Sequence, residues 1–393
     1  MAMNFYIKTL GCKVNQAESE DVTKLLTEYG HIYTKSPISA DLIIINTCTV
    51  THIADRKSRQ MIRKLKNENP IAEVIVTGCS VENETSNLPE IGVVIKKINL
   101  INYLHRYSSS CNNKLTNELS KVRKNLLVQN GCNYFCSYCI IPFVRNNLIS
   151  YSSEQLLKEA QENINQGIKE IVLTGINLGL YNHNGVTLTG LVKQLLQLKG
   201  DFRLRLGSIE PNLVTDELLT LIENENKLCP HLHLPLQGSS DNLLSLMQRK
   251  YTLADYLSLV NKINSLKRKT TVTSDIIIGH PSETEDDFLA LLSILTQNIF
   301  LNIHLFAYSV REGTTSATLP NHVPEIIKKA RMTQAQLALK ANQKKHKESL
   351  KNIHYNCLIE TNKENYSEGY TEHYVLIQIP KKLPINTFYI DQY

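Results

Sequence analysis

The amino-acid sequence predicts an α/β protein in three parts. These are an amino-terminal open parallel α/β sheet domain, a partial (β/α)6 barrel and a small C-terminal β-rich domain. Short continuous apolar runs, such as Asp41-Leu-Ile-Ile-Ile-Asn46, have the character of strands buried on both faces, and helical stretches separate them. From about Asn125 to Ala307, six strand–helix units follow in one row, too few for a closed eight-strand barrel. Beyond residue 351 the helical period gives way to short strands and turns. The expected boundaries are 1–105 for the first domain, 106–123 for a linker, 124–351 for the barrel with its following helix, and 352–393 for the tail.

Each element has a local reason. Asn4–Leu10 reads as a strand, and Ala17–Glu28 as a helix carrying Val22, Leu25 and Leu26 on one face and ending near Gly30. After the strand Asp41–Asn46 comes a basic helix from about His52 to Asn67, closed by Pro70, and then the strand Glu73–Thr77. Residues 98–123 are polar, lack a clear period and read as a linker that includes Cys111. Barrel strands are expected at Asn125–Gln129, Lys169–Thr174, Phe202–Leu206, His231–Pro235, Thr271–Ile278 and Leu301–Ala307. Helices between them include Ser153–Asn165 with serine caps and Glu283–Gln297 opening on Thr284 with acidic residues in its first turn. His322–Lys351 is a long helical pattern. Asn356–Thr361, Gly369–Ile379 and Thr387–Ile390 then read as strands, with a turn at Ser367-Glu-Gly369.

Of 393 residues, 42% are hydrophobic and 20% charged, which excludes disordered, collagen-like and coiled-coil classes. No apolar run approaches the roughly 20 residues that span a bilayer, and the start lacks a signal-peptide core. A cytoplasmic protein with no membrane association is therefore expected. Its nine cysteines should then bind metal or do chemistry rather than form disulfides. The net charge of +6 is compatible with a nucleic-acid partner without establishing one.

Cys12, Cys48 and Cys79 each fall within two residues or so of the end of an expected strand. In an open parallel sheet those ends form the ligand-binding edge, so three thiols brought there make a metal or cluster site, although each is also compatible with burial as a small apolar residue. Cys132, Cys136 and Cys139 form a C-x3-C-x2-C run. Three local thiols suit an iron–sulfur cluster with one iron left open. A zinc loop with a distant fourth ligand and a thioredoxin-like Cys136-x-x-Cys139 pair are the alternatives.

That cysteine run, with an aromatic residue before its last cysteine, resembles the signature of radical S-adenosylmethionine (SAM) enzymes. Gly11-Cys12-Lys-Val-Asn15, Asn46-Thr-Cys48-Thr-Val-Thr51 and Thr77-Gly-Cys79 resemble the amino-terminal domain of methylthiotransferases, closest to the MtaB type. The likeness extends through Leu173–Gly179, Ser208–Pro211, His231–Gln237, Ser274–Gly279 and Tyr308–Thr314, and covers residues 4 to about 379. It implies that Cys132, Cys136 and Cys139 hold a [4Fe–4S] cluster that cleaves S-adenosyl-L-methionine. Cys12, Cys48 and Cys79 would hold a second [4Fe–4S] cluster that supplies the methylthio group. Tyr138 is expected beside the adenine of the cofactor, and Thr174, Gly175 and Asn177 at its polar end, an ordinary strand-to-helix turn being the alternative for these three.

The implied reaction is methylthiolation of N6-threonylcarbamoyladenosine in the anticodon region of tRNA, served by a low-potential electron donor and a sulfur source. Isopentenyladenosine in tRNA, a ribosomal protein, or a non-catalytic metal-containing role in RNA binding are the competing functions. The tail resembles a shortened TRAM domain, whose Tyr370 and Tyr374 would either stack on bases or sit in the core. Arg56, Lys57, Arg59, Arg63, Lys64 and Lys66 on one helix would contact phosphates or be an ordinary solvated face. The chain departs from the family pattern at Asn146, Asn147 and Ile149, where a glycine and an arginine are usual, and at His280, where phenylalanine is usual.

Overall fold

The structure is a computed structural model and describes residues 2–83, 88, 91–108, 122–145 and 147–393. Strands β1 (Asn4–Thr9), β2 (Ile32–Tyr33), β3 (Leu42–Thr47), β4 (Glu73–Gly78) and β5 (Val93–Val94) form one parallel sheet in the order β2-β1-β3-β4-β5. All six residues of β3 are buried, as its unbroken apolar run demands. Helix α1 (Lys13–Glu28) buries Val22 and Leu26 on one face of the sheet, and α2 (His52–Glu68) buries Ile62 and Leu65 on the other.

Six further strands run parallel in one arc: β6 (Arg123–Leu127), β7 (Glu170–Thr174), β8 (Arg203–Leu206), β9 (His231–His233), β10 (Thr271–Ile278) and β11 (Asn302–Ala307). Ladders join β8-β7-β6 and β9-β10-β11, and single parallel bridges such as Ser208 to His233 link the two halves. The arc stays open between β6 and β11, the partial barrel that six units imply. Its outer helices carry the largest apolar core, from Leu126 to Leu339. Thr252 and Thr284 each close a capping box that fixes the start of a helix.

The first helix is longer than its apolar period suggests and starts directly after Cys12. The polar stretch that reads as linker begins with a helix, Lys97–Leu104, whose Leu100 and Leu104 are buried in the first domain. Two turns are too short to show a period. Cys111 lies outside the described residues. The strand expected over Gly369–Ile379 is a hairpin of β13 (Ser367–Thr371) and β14 (Leu376–Ile379), and Ser367-Glu-Gly369 lies inside β13 rather than in a turn. Tyr374, at φ +67°, breaks the run in the left-handed region.

With β12 (His354–Asn362) and β15 (Phe388–Gln392) the tail forms a four-stranded antiparallel sheet in the order β14-β13-β12-β15. No ladder joins β14 to β15 among the described residues, so the sheet is open. It docks on the amino-terminal end of the barrel. Glu170 accepts from Arg203 Nε at 2.5 Å and from Arg205 Nε at 3.1 Å. These two guanidiniums then donate to the tail carbonyls of Asn356, Tyr370, Thr371 and Glu372 at 2.7–3.0 Å. Burial alone would raise the Glu170 carboxyl, but Arg205, Arg203 and Arg123 together hold it well below the usual carboxylate range. A buried charge paired this fully fixes how the tail seats.

Candidate metal centres at the mouth of the barrel

The first thiol set comes from three neighbouring strands. Cys12 caps α1 just past β1, Cys48 follows β3, and Cys79 opens a short helix after β4. Asn15 gathers them. Its Nδ2 donates to the Leu10 and Thr47 carbonyls at 2.8 and 2.9 Å, and its Oδ1 lies 3.8 Å from both Cys12 Sγ and Cys79 Sγ. Gly11, at φ +102°, passes so close to Cys48 that a Cβ would stand 3.0 Å from its Sγ. Ser58 receives the Cys48 amide at 3.1 Å and donates to its carbonyl at 2.9 Å.

Behind Asn15 stands a charged network that crosses between domains. Arg145 donates to Asn15 Oδ1 at 2.6 Å and to both Glu18 oxygens at 2.7 and 3.0 Å. Lys97 pairs with Glu18 at 2.6 Å, and its Nζ lies 3.8 Å from Cys79 Sγ. Burial would raise the Glu18 carboxyl, yet Lys97 and Arg145 hold it below its ordinary value. Burial also pushes the Cys48 thiol up to about 11, so the site without metal holds that thiol protonated.

The second set lies on one loop. Gly131, at φ +75°, starts it where a Cβ would meet the Asn147 carbonyl oxygen at 2.0 Å. Cys139 N–H donates to the Cys136 carbonyl at 2.9 Å, closing the turn. Ser137 is the anchor, donating through Oγ to Leu246 O at 2.7 Å and through N–H to Met247 O at 3.1 Å. Ser316 Oγ lies 2.7 Å from Ser137 Oγ and 2.8 Å from His280 Nε2, so the histidine that departs from the family pattern buttresses the loop. Burial lowers His280 to about 4.

Arg249 ion-pairs with Glu210 and reaches Cys136 Sγ at 3.3 Å and the Tyr138 hydroxyl at 3.2 Å. Burial pushes the Cys139 thiol up to about 12. Cys79 of the first set and Cys132 and Cys139 of the second pack in a single small apolar cluster with Ile140, Ile141 and Val144. Among the described residues no three side chains stand in ready metal-holding geometry. The thiols are gathered there without forming a finished cage.

A cavity of about 210 Å³ opens beside the loop, walled by Thr51 of the first domain and by Tyr138, Cys139, Asp275 and Tyr308. Thr174 Oγ1 donates to its own strand at Val172 O, and Gly175 backs directly on Gln129. Asn177 N–H donates to Gln129 Oε1 at 2.9 Å, while both ends of its buried side-chain amide lack a partner among the described residues. Ile149 is exposed on a short ladder with Asn130, and Asn146 lies outside the described residues.

Tyr370 and Tyr374 face inward rather than toward solvent. Tyr374 stacks on His231 at 4.7 Å and on Tyr370 at 5.1 Å, and the Arg123 guanidinium covers Tyr370 at 4.8 Å. Lys13, next to Cys12, reaches into the barrel with Nζ 5.6 Å from the centre of the Tyr374 ring. On α2, Arg56, Lys57 and Arg63 are exposed. Arg59 instead pairs with Asp55, Lys64 with Glu68, and Lys66 donates to the Pro70 carbonyl.

Asn15, Glu18, Lys97, Arg145, Ser316, Glu210 and Arg249 are absent from the sequence-derived residue set. Asn15, three residues after Cys12, and Glu210, within Ser208–Pro211, alone carried a signal, each inside a motif of the family likeness. Arg145 and Glu18 are 127 positions apart, beyond any linear spacing.

Residues 4–98 match the uncharacterized protein family UPF0004, and residues 126–295 match the radical SAM superfamily. The threonylcarbamoyladenosine tRNA methylthiotransferase MtaB of Bacillus subtilis is 34% identical over 94% of this chain and 88% of its own length. Its counterpart in Thermotoga maritima is 35% identical over 83% of this chain and 79% of its own. A tRNA-2-methylthio-N(6)-dimethylallyladenosine synthase from Endomicrobium trichonymphae reaches 31% over 84% and 82%. Among solved structures, the radical SAM methyltransferase TsrM of Kitasatospora setae, with cobalamin and a [4Fe-4S] cluster bound, superposes with a TM-score of 0.57. It is 15% identical over 81% of this chain and 77% of that one, a likeness of fold. With its motifs, arc of six strands and full-length relatives taken together, the chain belongs to the radical SAM tRNA methylthiotransferases, of the MtaB type.

Proposed function

We propose that the protein converts N6-threonylcarbamoyladenosine beside the anticodon of tRNA to its 2-methylthio derivative. The observation that carries this reading is that Cys79 of one thiol set and Cys132 and Cys139 of the other share one apolar cluster. Cys132, Cys136 and Cys139 would hold one [4Fe–4S] cluster, and Cys12, Cys48 and Cys79 the other. The donor chemistry fits. Each set offers three thiols with a cation beside it, Arg249 in one and Lys97 in the other, and positive charge offsets a thiolate-bound cluster. S-adenosyl-L-methionine would enter by the 210 Å³ cavity, with Tyr138 of its wall along the adenine; Thr174, Gly175 and Asn177, outside that wall, would meet its polar end. The unpartnered Asn177 amide supports that end, because a buried amide without partners costs about 1–3 kcal/mol.

When bound, these groups supply one-electron chemistry and the transferable methylthio group. The chain's own residues do the rest. Arg249 holds Tyr138 and Cys136 in register, and Ser137 with Ser316 fixes the loop. The apolar cluster of Ile140, Ile141 and Val144 keeps water from the space between the sets. Exposed Arg56, Lys57 and Arg63 would meet tRNA phosphates. No helix among the described residues is long and apolar enough to cross a membrane. We place the enzyme in the cytoplasm, served by a low-potential electron donor and a sulfur source.

The test is nucleoside mass spectrometry of tRNA from cells with and without the gene. Loss of the 2-methylthio-threonylcarbamoyl nucleoside is expected. Loss of a methylthio-dimethylallyl nucleoside instead would reassign the substrate.

A further inference from the structure

Arg145 follows Cys139 by six residues, on the segment that carries the second thiol set, yet its guanidinium also reaches into the first domain. Its side chain is only 2% exposed. Nη1 donates to Asn130 Oδ1 at 2.7 Å, and the same oxygen accepts from Gly131 N–H at 2.9 Å. The guanidinium thus ties the end of the cysteine loop to its beginning. Its other donors meet both Glu18 oxygens and, through Nη2 at 2.6 Å, Asn15 Oδ1.

The side-chain amide of Asn15 has one orientation, because its Nδ2 donates to two carbonyls. Its Oδ1 is therefore the atom presented to Cys12 and Cys79, 3.8 Å from each Sγ. An amide oxygen accepts from a thiol but repels a thiolate. Once both thiols give up their protons to a metal, that contact turns unfavourable unless positive charge stands behind the oxygen. Arg145 stands there at 2.6 Å, and Lys97 Nζ lies farther off at 3.5 Å. Glu18 pairs with both cations and cancels one of them, which leaves one positive charge over.

We propose that Arg145 is the positioning residue through which the loop of the second thiol set holds the first. Acting through Asn15, it makes the Cys12 and Cys79 thiolates compatible with a bound cluster and raises that cluster's reduction potential. The inference rests on the two-cluster reading above and deepens it. A change six residues past Cys139 then harms the set of the other domain rather than its own. Lysine in its place keeps the charge but loses the fork that meets Asn130, Glu18 and Asn15 together.

The experiment uses the full chain in two backgrounds, each reconstituted anaerobically with iron and sulfide. Cys132→Ala/Cys136→Ala/Cys139→Ala keeps the first set alone, and Cys12→Ala/Cys48→Ala/Cys79→Ala keeps the second. Arg145→Met, Arg145→Lys and Glu18→Gln are placed in each. Iron retention against a chelator, midpoint potential by EPR-monitored titration and thermal melting are measured. With the first set alone, Arg145→Met should weaken iron retention about 10- to 100-fold and move the potential to more negative values. Arg145→Lys should restore the potential but only part of the retention. Glu18→Gln, which removes the opposing charge and leaves the guanidinium in place, should move the potential the other way. With the second set alone, retention and potential should hold in all three variants. Equal losses in the two backgrounds overturn the assignment while the two-cluster reading stands, as does a first-set potential that none of the variants moves. A background chain with Arg145 intact that binds no cluster overturns the two-cluster reading, and this inference with it.

Discussion

The two cysteine sets reach the same place by opposite routes. Cys132, Cys136 and Cys139 share one loop of nine residues, and their approach is written into its turn and its serine anchor. Cys12, Cys48 and Cys79 come from three strands and are neighbours only because β1, β3 and β4 are adjacent in the sheet. A loop site is robust to changes elsewhere but depends on its own supports. A sheet-edge site is spread over 68 positions of chain and depends on the whole domain keeping its register. The difference suggests that the first domain can be perturbed without stopping cofactor cleavage, whereas the loop cannot.

The sharpest way to break that comparison is to remove one thiol from each set. Cys136→Ala should abolish SAM cleavage, a loss of at least about 10³-fold in rate, because the cluster that activates the cofactor loses a ligand. Cys48→Ala should lose methylthio transfer to a similar extent while cleavage of SAM continues, and both variants should carry about half the iron. Equal loss of cleavage in the two variants would erase the distinction.

Next come the supports. Arg249→Leu removes the cation beside Cys136, and Asn15→Leu removes the amide between Cys12 and Cys79. Each should lower overall turnover by about 10- to 100-fold. Only Arg249→Leu should slow SAM cleavage in single turnover.

Acid should separate the sets more gently. Burial holds His280 at about 4, below its ordinary 6.5, so the buttress is fully stabilising above pH 6.5 and loses that contribution as pH falls toward 4. The loss should reach about 1–3 kcal/mol, and His280→Phe should flatten the acid limb of thermal stability between those pH values. The smallest effect is expected at Ser58→Ala, which removes the brace on the Cys48 backbone and should cost about 1 kcal/mol in the first domain alone. Differential scanning calorimetry reads both.

The same contrast explains what the sequence made legible. Cys132–Cys139 could be read directly, because their spacing is their geometry. The barrel strand Glu170–Thr174 was legible because burial on both faces writes a nearly continuous apolar run, and Thr271–Ile278 came out to the residue. Convergence at the sheet edge needed the strand order, which no run of letters contains. Arg145 meeting Glu18 and Arg249 meeting Glu210 belong to the same class, since their partners are set by how domains and loops close. The helix Lys97–Leu104 was too short to show a period, and Tyr374 hid a hairpin because an apolar stretch through a left-handed residue still reads as one strand.

The seating of the tail has a consequence for traffic. With Tyr374 wedged against His231 and the Arg203–Arg205 pair clamped to β13 carbonyls, the barrel is stoppered at its amino-terminal end. Exchange with the barrel interior is therefore left to its mouth and to the open seam between β6 and β11.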